Sequence, residues 1–237
     1  LNNTNALTGT VALNTSGSGN ALIDNGITAL NLATSTVGGN LTLTSGHYII
    51  DSSTVTVGGN LVATTDAANG SIHMDGLRVD GTVQLTTHGS GDATVVNDAG
   101  LTFLASTVRN LAATATTGNI VDSGVLTVAG TSSFTTSANN ADITLNNTNA
   151  LTGTVALNTS GSTGHALVDN GITALNLAAS TVGGNLTLTS GNASGITDSG
   201  TVTVGGNLAV TTDANSGVIN LGTLAVDGTI ALATNGS

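Results

Sequence analysis

The chain has 237 residues, with 33 Gly, no Pro, no Cys and no Trp, and only 6% of it is charged and 1% aromatic. Its formal net charge of −11, from 13 Asp set against Arg78 and Arg109, argues against a direct role on nucleic acid, because little is present to neutralise phosphate. No apolar run approaches the ~18 residues of a membrane-spanning helix, and the regularly spaced aliphatics exclude the disorder that a low-charge, Gly-rich composition might otherwise suggest.

Taken in chain order, one small unit keeps returning. Its first inward residue after a corner is Val11, then Leu41, Leu61, Val83, Leu111, Ser132, Val155, Leu186, Leu208 and Ile230. The fullest form is STVGGNLTLTSG at residues 35–46, which recurs almost unchanged at 180–191. Val37 points inward, Gly38-Gly39-Asn40 turns the chain, and Leu41 and Leu43 point inward again while Thr42 and Thr44 face water. Gly and Asn suit such a corner because both tolerate positive φ. Steps between units run from 20 to 31 residues and cluster near 22, and the steps near 30 before Leu41, Leu111 and Leu186 imply coils with an extra loop or longer strands. At the end of the chain, Ile219 and Leu221, then Leu224 and Val226, then Ile230 and Leu232 mark three short strands joined by corners such as Asp227-Gly228-Thr229. The expected fold is all-β, a parallel β-solenoid of about ten coils of roughly 20–31 residues with three short strands per coil. An antiparallel sandwich would explain the alternation but not the recurring corner.

A longer repeat overlies the short one. Residues 1–16 are identical to 145–160, a period of about 144–147 residues, so 1–144 is one copy and 145–237 a partial second. The pattern is already running at Leu1-Asn2-Asn3. The sequence therefore reads as a single rod over 1–237, an internal fragment of a longer repetitive chain whose neighbouring repeats are its first partners.

Equivalent positions of a solenoid stack, so candidate sites can be sought in columns. Asn40 and Asn60, and again Asn185 and Asn207, are expected to form a structural ladder in which stacked amides hydrogen-bond along the axis. An outward Thr file is expected at Thr44, Thr64, Thr86, Thr114 and Thr135, then Asn158, Thr189 and Thr211, explained by β-propensity and neighbour contacts. A third column, aliphatic-x-Asp-x-Gly, supplies Asp24, Asp51, Asp98, Asp122, Asp169 and Asp198. These six read first as turn-forming carboxylates. As a calcium ladder they are weak candidates, because each site offers one carboxylate and a hard cation wants many oxygens. No other cofactor is expected.

Residues 47–109 depart most from the second copy and form an atypical surface patch of His47, Tyr48, His73, Arg78 and His88. Arg109 aligns one coil above Asp80, which predicts an exposed ion pair there. Asp75, Asp80 and Arg78 are the nearest approach to the acidic, Arg-bearing groove of a carbohydrate-processing β-helix. No paired carboxylates, nucleophile-base set or phosphate loop accompanies them, so no catalytic residue is assigned and no enzyme is expected.

The units STVGGNLTLTSG, DSGTVTVGGNLAVTTDANSG and IVDSGVLTVAGTSSFTTSANNADITL resemble the repeats of filamentous-haemagglutinin-like proteins, very large secreted bacterial adhesins. The resemblance covers essentially the whole chain. It implies a right-handed parallel β-helix, an extracellular or cell-surface location in a Gram-negative bacterium, and a role in adhesion, aggregation or matrix building. A structural shaft is the function so implied, with surface glycans or other cells as partners. A carbohydrate-binding or carbohydrate-cleaving β-helix, or a filament assembled by end-to-end or lateral self-association, is the alternative.

Overall fold

A computed structural model describes residues 1, 3–214 and 216–235. Among these the chain is all strand and turn, and no helix is long and apolar enough to cross a membrane. Every strand pairing is parallel, and the strands form two sheets that close on each other as a β-solenoid of about eleven turns. The front sheet holds Ala21–Asp24, Leu41–Ser45 and Leu61–Ala68, and the back sheet holds Leu30–Leu32, Ile49–Asp51 and Ile72–Val79. The chain leaves the front sheet at one edge of the rod, the outgoing edge, and comes back to it at the other, the return edge.

Alternation builds the core. Leu41, Leu43, Leu61, Ala63, Val83 and Leu85 are fully buried on the front, while Leu30, Leu32, Ile49, Val55 and Val57 are fully buried on the back. Phe103 and Phe134 fill the middle coils. A buried aliphatic contributes about 1.5–3 kcal/mol, and no coil holds enough of them to stand alone. A single continuous apolar column runs from Ile23 to Val210.

Most coils pair one continuous strand on one sheet with two short strands, separated by a break, on the other; in Ile72–Val79 the break is reduced to a register shift at Asp75-Gly76. Which sheet carries the continuous strand changes along the rod. The front strands are continuous from Ala21–Asp24 to Thr82–His88, then split into pairs such as Leu101–Phe103 with Ser106–Val108, and are continuous again from Ala166–Asp169 onward. The back sheet does the reverse: split at Leu30–Leu32 with Ser35–Val37, continuous from Ala93–Asn97 to Thr154–Ser160, and split again from Leu175–Leu177.

This exchange corrects the expectation drawn from the steps near 30. Paired residues of successive coils are 18 to 23 apart, as in Ala93 with Leu111 and Ile120 with Ile143, so no coil is enlarged. Leu41 lies on the front and Val11 on the back, Leu111 on the back and Val83 on the front, and Leu186 on the front and Val155 on the back. Each long step is one and a half coils. The same exchange breaks the expected Thr file. Thr44, Thr64 and Thr86 stack on the front, Thr114, Thr135 and Asn158 on the back, and Thr189 with Thr211 on the front again.

The strand Ala166–Asp169 lies seven coils above Ala21–Asp24, along pairings from Ala21 with Leu41 to Leu145 with Val168. The 145-residue repeat is therefore a whole number of coils, and half of it is three and a half. Corners follow the same phase. Those after continuous strands are loops, such as 25–29, 89–92 and 170–174, and those after split pairs are tight, such as 38–40, 109–110 and 183–185.

Candidate functional site

The four ladder asparagines sit at tight corners of the return edge and are exposed. Their bonding differs from the expected amide-to-amide stack. Each side-chain Oδ1 accepts the backbone N–H of the equivalent residue one coil up: Asn40 from Asn60 (2.9 Å), Asn60 from Thr82 (2.9 Å), Asn185 from Asn207 (2.8 Å) and Asn207 from Thr229 (2.9 Å). The ladder reaches past them. Asn20 serves Asn40, and its second-copy counterpart His165 serves Asn185, with Nδ1 accepting the N–H at 2.8 Å, which requires that nitrogen to be the unprotonated one. The corner glycines serve this ladder rather than a positive φ, which the described Gly-Gly-Asn corners do not use. A Cβ on Gly59 would fall closer than 3.0 Å to Asn40 Oδ1, and one on Gly206 equally close to Asn185 Oδ1.

The six aspartates do not form one column. Asp24 and Asp169 close their own turns, each Oδ1 accepting from the Gly two residues on at 2.9 Å. Asp51, Asp122 and Asp198 each end the first short strand of a split pair and clip two consecutive N–H groups of the coil above. Asp51 takes Asp75 (3.1 Å) and Gly76 (2.9 Å), Asp122 takes Asn146 (2.9 Å) and Asn147 (3.2 Å), and Asp198 takes Gly222 (2.7 Å) and Thr223 (2.8 Å). Burial pushes the Asp51 carboxyl above its ordinary range, aided by the Asp75 charge and opposed by the two N–H bonds. At Asp198 a desolvation push upward is outweighed by the Thr223 hydroxyl and the Gly222 and Thr223 N–H groups, so the carboxyl lies below its ordinary range. Asp98 stands apart and pairs with Arg78. Among the described residues no three His or Asp side chains gather as a metal site would require.

The atypical patch divides into two places. His47 and Tyr48 meet edge to face, ring centroids 4.0 Å apart, in the outgoing-edge corner after Leu41–Ser45. His88 lies toward the same edge, its Nδ1 2.7 Å from the Thr65 carbonyl oxygen. His73 and Arg78 project from the back sheet on either side of the Asp75-Gly76 bulge. His73 Nε2 is 3.4 Å from Asp75, and Arg78 Nε is 3.0 Å from Asp98. Arg109 does not meet Asp80. The half-coil exchange puts Asp80 at a return-edge corner and Arg109 at an outgoing one, where its Nη1 lies 3.7 Å from Asp92. All three pairs are about half exposed, which limits each to about 0–1 kcal/mol. Arg78, Asp98, Asp75 and Thr116 border a shallow hollow of ≈ 220 Å³ on the back face. Its guanidinium is already neutralised by Asp98.

The most demanding polar positions went unnoticed in the sequence. They sit where the two sheets exchange roles. Where a continuous strand lies over a split pair, a buried Asn side chain stands in for missing backbone. Asn170 Oδ1 accepts the Leu151 N–H at 2.8 Å and its Nδ2 donates to the Leu151 and Ala174 carbonyls at 3.0 Å each. Asn25 treats Leu7 and Ala29 the same way, and Asn97 treats Val79 and Gly100. Where a split pair lies over a continuous strand, a buried Ser bridges the break. Ser35, Ser106 and Ser180 each accept an N–H from the strand below, from Leu13, Leu85 and Leu157, and donate to the carbonyl two residues back. One coil further up, the same position is aliphatic: Val55, Leu126 and Val202. A partial signal was present: Ser-Thr-Val occurs at 35–37, 106–108 and 180–182, each nine or ten residues after one of these asparagines, and once more at 53–55, where Ser53 is exposed.

Neither a search of curated proteins nor one of solved structures returned a match. A family model does match, in three stretches, residues 18–75, 90–158 and 163–221. The stretches begin 72 and 73 residues apart, and each contains one exchange coil, at Asn25, Asn97 and Asn170. The family's unit is thus half of the 145-residue repeat, three and a half coils, and successive units face opposite sides of the rod. With well over half of its length matched, the chain belongs to the family described as repeats of unknown function, DUF5649.

Proposed function

We propose that this chain is a length of structural shaft in an extracellular or cell-surface fibre of the filamentous-haemagglutinin-like kind, serving adhesion, aggregation or matrix building. The observation that carries the reading is the use made of the polar side chains. The ladder amides, the Asp clips and the exchange-coil Asn and Ser residues all bond from coil to coil. A rod in which polar groups serve axial continuity is built for extension and stiffness, and nearest-neighbour coupling lets it grow by adding units. Its eleven coils at ~4.8 Å give a rod of about 50 Å. Glycans or other cells would be met by parts of a fibre that such a shaft holds at a distance.

The test is location. Antibodies raised against this chain should label intact cells that make the protein, and labelling that appears only after permeabilisation would overturn the proposal. The carbohydrate reading keeps one foothold, the hollow bordered by Asp75, Arg78 and Asp98. Glycan binding that is lost in Arg78→Ala would favour it.

A further inference from the structure

The alternation of loop and tight corners gives the rod two complementary edges. On the outgoing edge, loops at 25–29, 46–48, 69–71 and 89–92 are followed by tight corners at 109–110, 129–131 and 152–153, and loops return at 170–174. On the return edge the order is inverted at the same heights. Tight corners at 38–40, 58–60 and 80–81 are followed by loops at 98–100, 116–119, 140–142 and 161–165, then tight corners at 183–185 and 205–207. A rod translated sideways, neither shifted nor turned, would therefore set its loops opposite its neighbour's tight corners along the whole length.

We propose that copies of this chain associate laterally, parallel and in register, outgoing edge against return edge, into a flat ribbon. Three observations favour a second copy as the occupant. First, the outgoing edge carries two bare aliphatic knobs, Ile27 at 91% and Ile172 at 85% exposure, in identical Asn-Gly-Ile-Thr loops seven coils apart. Each lies half a coil below the return-edge corners Gly38-Gly39 and Gly183-Gly184, which lack side chains to block a neighbour's knob. Second, a trough of ≈ 300 Å³ on the back face runs past Ala112, Ser133 and Ala156 and opens at the tight stretch of the outgoing edge beside Asn110 and Thr131, at the height of the return-edge loops. Third, the half-exposed Arg109, 3.7 Å from Asp92 of its own rod, stands in that stretch at the height of the return-edge loop that holds Asp98, itself 3.0 Å from Arg78. Because the two surfaces differ, the contact is heterologous and does not close, so it propagates. A net charge of −11 on every rod opposes it, and salt that shortens the screening length to about 8–10 Å weakens the opposition.

The inference takes its setting from the shaft reading, but its test is independent of it. The chain contains no Cys, so single cysteines report contacts cleanly. Arg109→Cys chains mixed with Thr117→Cys chains, one residue on each edge at neighbouring heights, should give the mixed disulfide in at least about threefold excess over either like pair. Sedimentation velocity of the unmodified chain should show association that rises with concentration and with added salt. Ile27→Asp with Ile172→Asp should weaken it at least about tenfold. These positions are so exposed that the folded strand signal by circular dichroism should be unchanged. A chain that stays monomeric at every concentration and salt, or a cross-link pattern dominated by like pairs, overturns the ribbon. Rod-shaped monomers that still label intact cells would leave the shaft standing without it.

Discussion

Replacing Asn170 by Ala isolates what an exchange coil needs. Asn170 is fully buried, and its amide bonds the Leu151 N–H and two carbonyls, those of Leu151 and Ala174. Ala removes the amide and leaves its partners facing a small buried cavity. Each buried group left unpaired costs about 1–3 kcal/mol, so the loss should be on the order of 3–5 kcal/mol. Asn185→Ala is the control, since it also deletes an inter-coil acceptor but at an exposed corner where water replaces it, and it should cost about 1 kcal/mol or less. A solenoid need not unfold in one step, so the measurement is native-state hydrogen exchange. Asn170→Ala should lower the opening free energy of amides on the strands Ala150–Leu151 and Ala166–Asp169, leaving those near Leu61 untouched. Equal costs for the two variants would refute the idea that the exchange coil depends on this amide.

Three further outcomes follow from the same geometry. Gly59→Ala should destabilise by about 1–3 kcal/mol because its Cβ would press on Asn40 Oδ1 and the Gly39 backbone, whereas Gly222→Ala, whose Cβ would meet nothing nearer than 3.8 Å, should be neutral or slightly stabilising in thermal melts. Asp51 and Asp198 should respond oppositely to pH. The Asp198 carboxyl titrates below its ordinary 3.8 in the folded chain, so its stabilisation is present above that value and lost as pH falls through the folded pKa. The Asp51 carboxyl titrates above 3.8, so its contribution is present below that value and lost as pH rises through the folded pKa. Denaturation across pH 3 to 6 should therefore show the deficit of Asp198→Asn growing toward neutrality and that of Asp51→Asn shrinking, and slopes of the same sign would contradict the dominance of burial over the N–H bonds at Asp51. Millimolar calcium should leave the melting temperature unchanged, because the clipping carboxylates already accept backbone N–H groups, and an upward shift of several degrees would reopen the calcium ladder.

Much of this architecture was legible from alternation alone. Inward Val, Leu and Ile at period two, with a corner every twenty-odd residues, define stacked parallel coils whichever sheet each strand joins. The exchange of sheets was not legible in that way. Val83 and Leu111 follow similar corners and carry similar side chains, and only pairing shows that one lies on the front and the other on the back. Columns drawn through that point mixed residues from opposite walls, which is why Arg109 was matched with Asp80 instead of Asp92. The asparagine ladder was visible as a column, but its chemistry was not, because a side chain that serves the next coil's backbone has the same spacing as one that serves the next amide. Asn25, Asn97 and Asn170 escaped because in sequence a buried Asn beside Gly or Asp looks like an ordinary turn residue.

A unit of three and a half coils also gives the rod a parity. Gain or loss of one 72- or 73-residue unit would turn everything beyond it by half a revolution, moving every outgoing edge to the return side. Gain or loss of two units would leave the orientation of both flanks intact. Length can thus change freely only in even steps. The closest identity in the chain, residues 1–16 with 145–160, lies two units apart, where a duplication leaves both faces of the rod as they were.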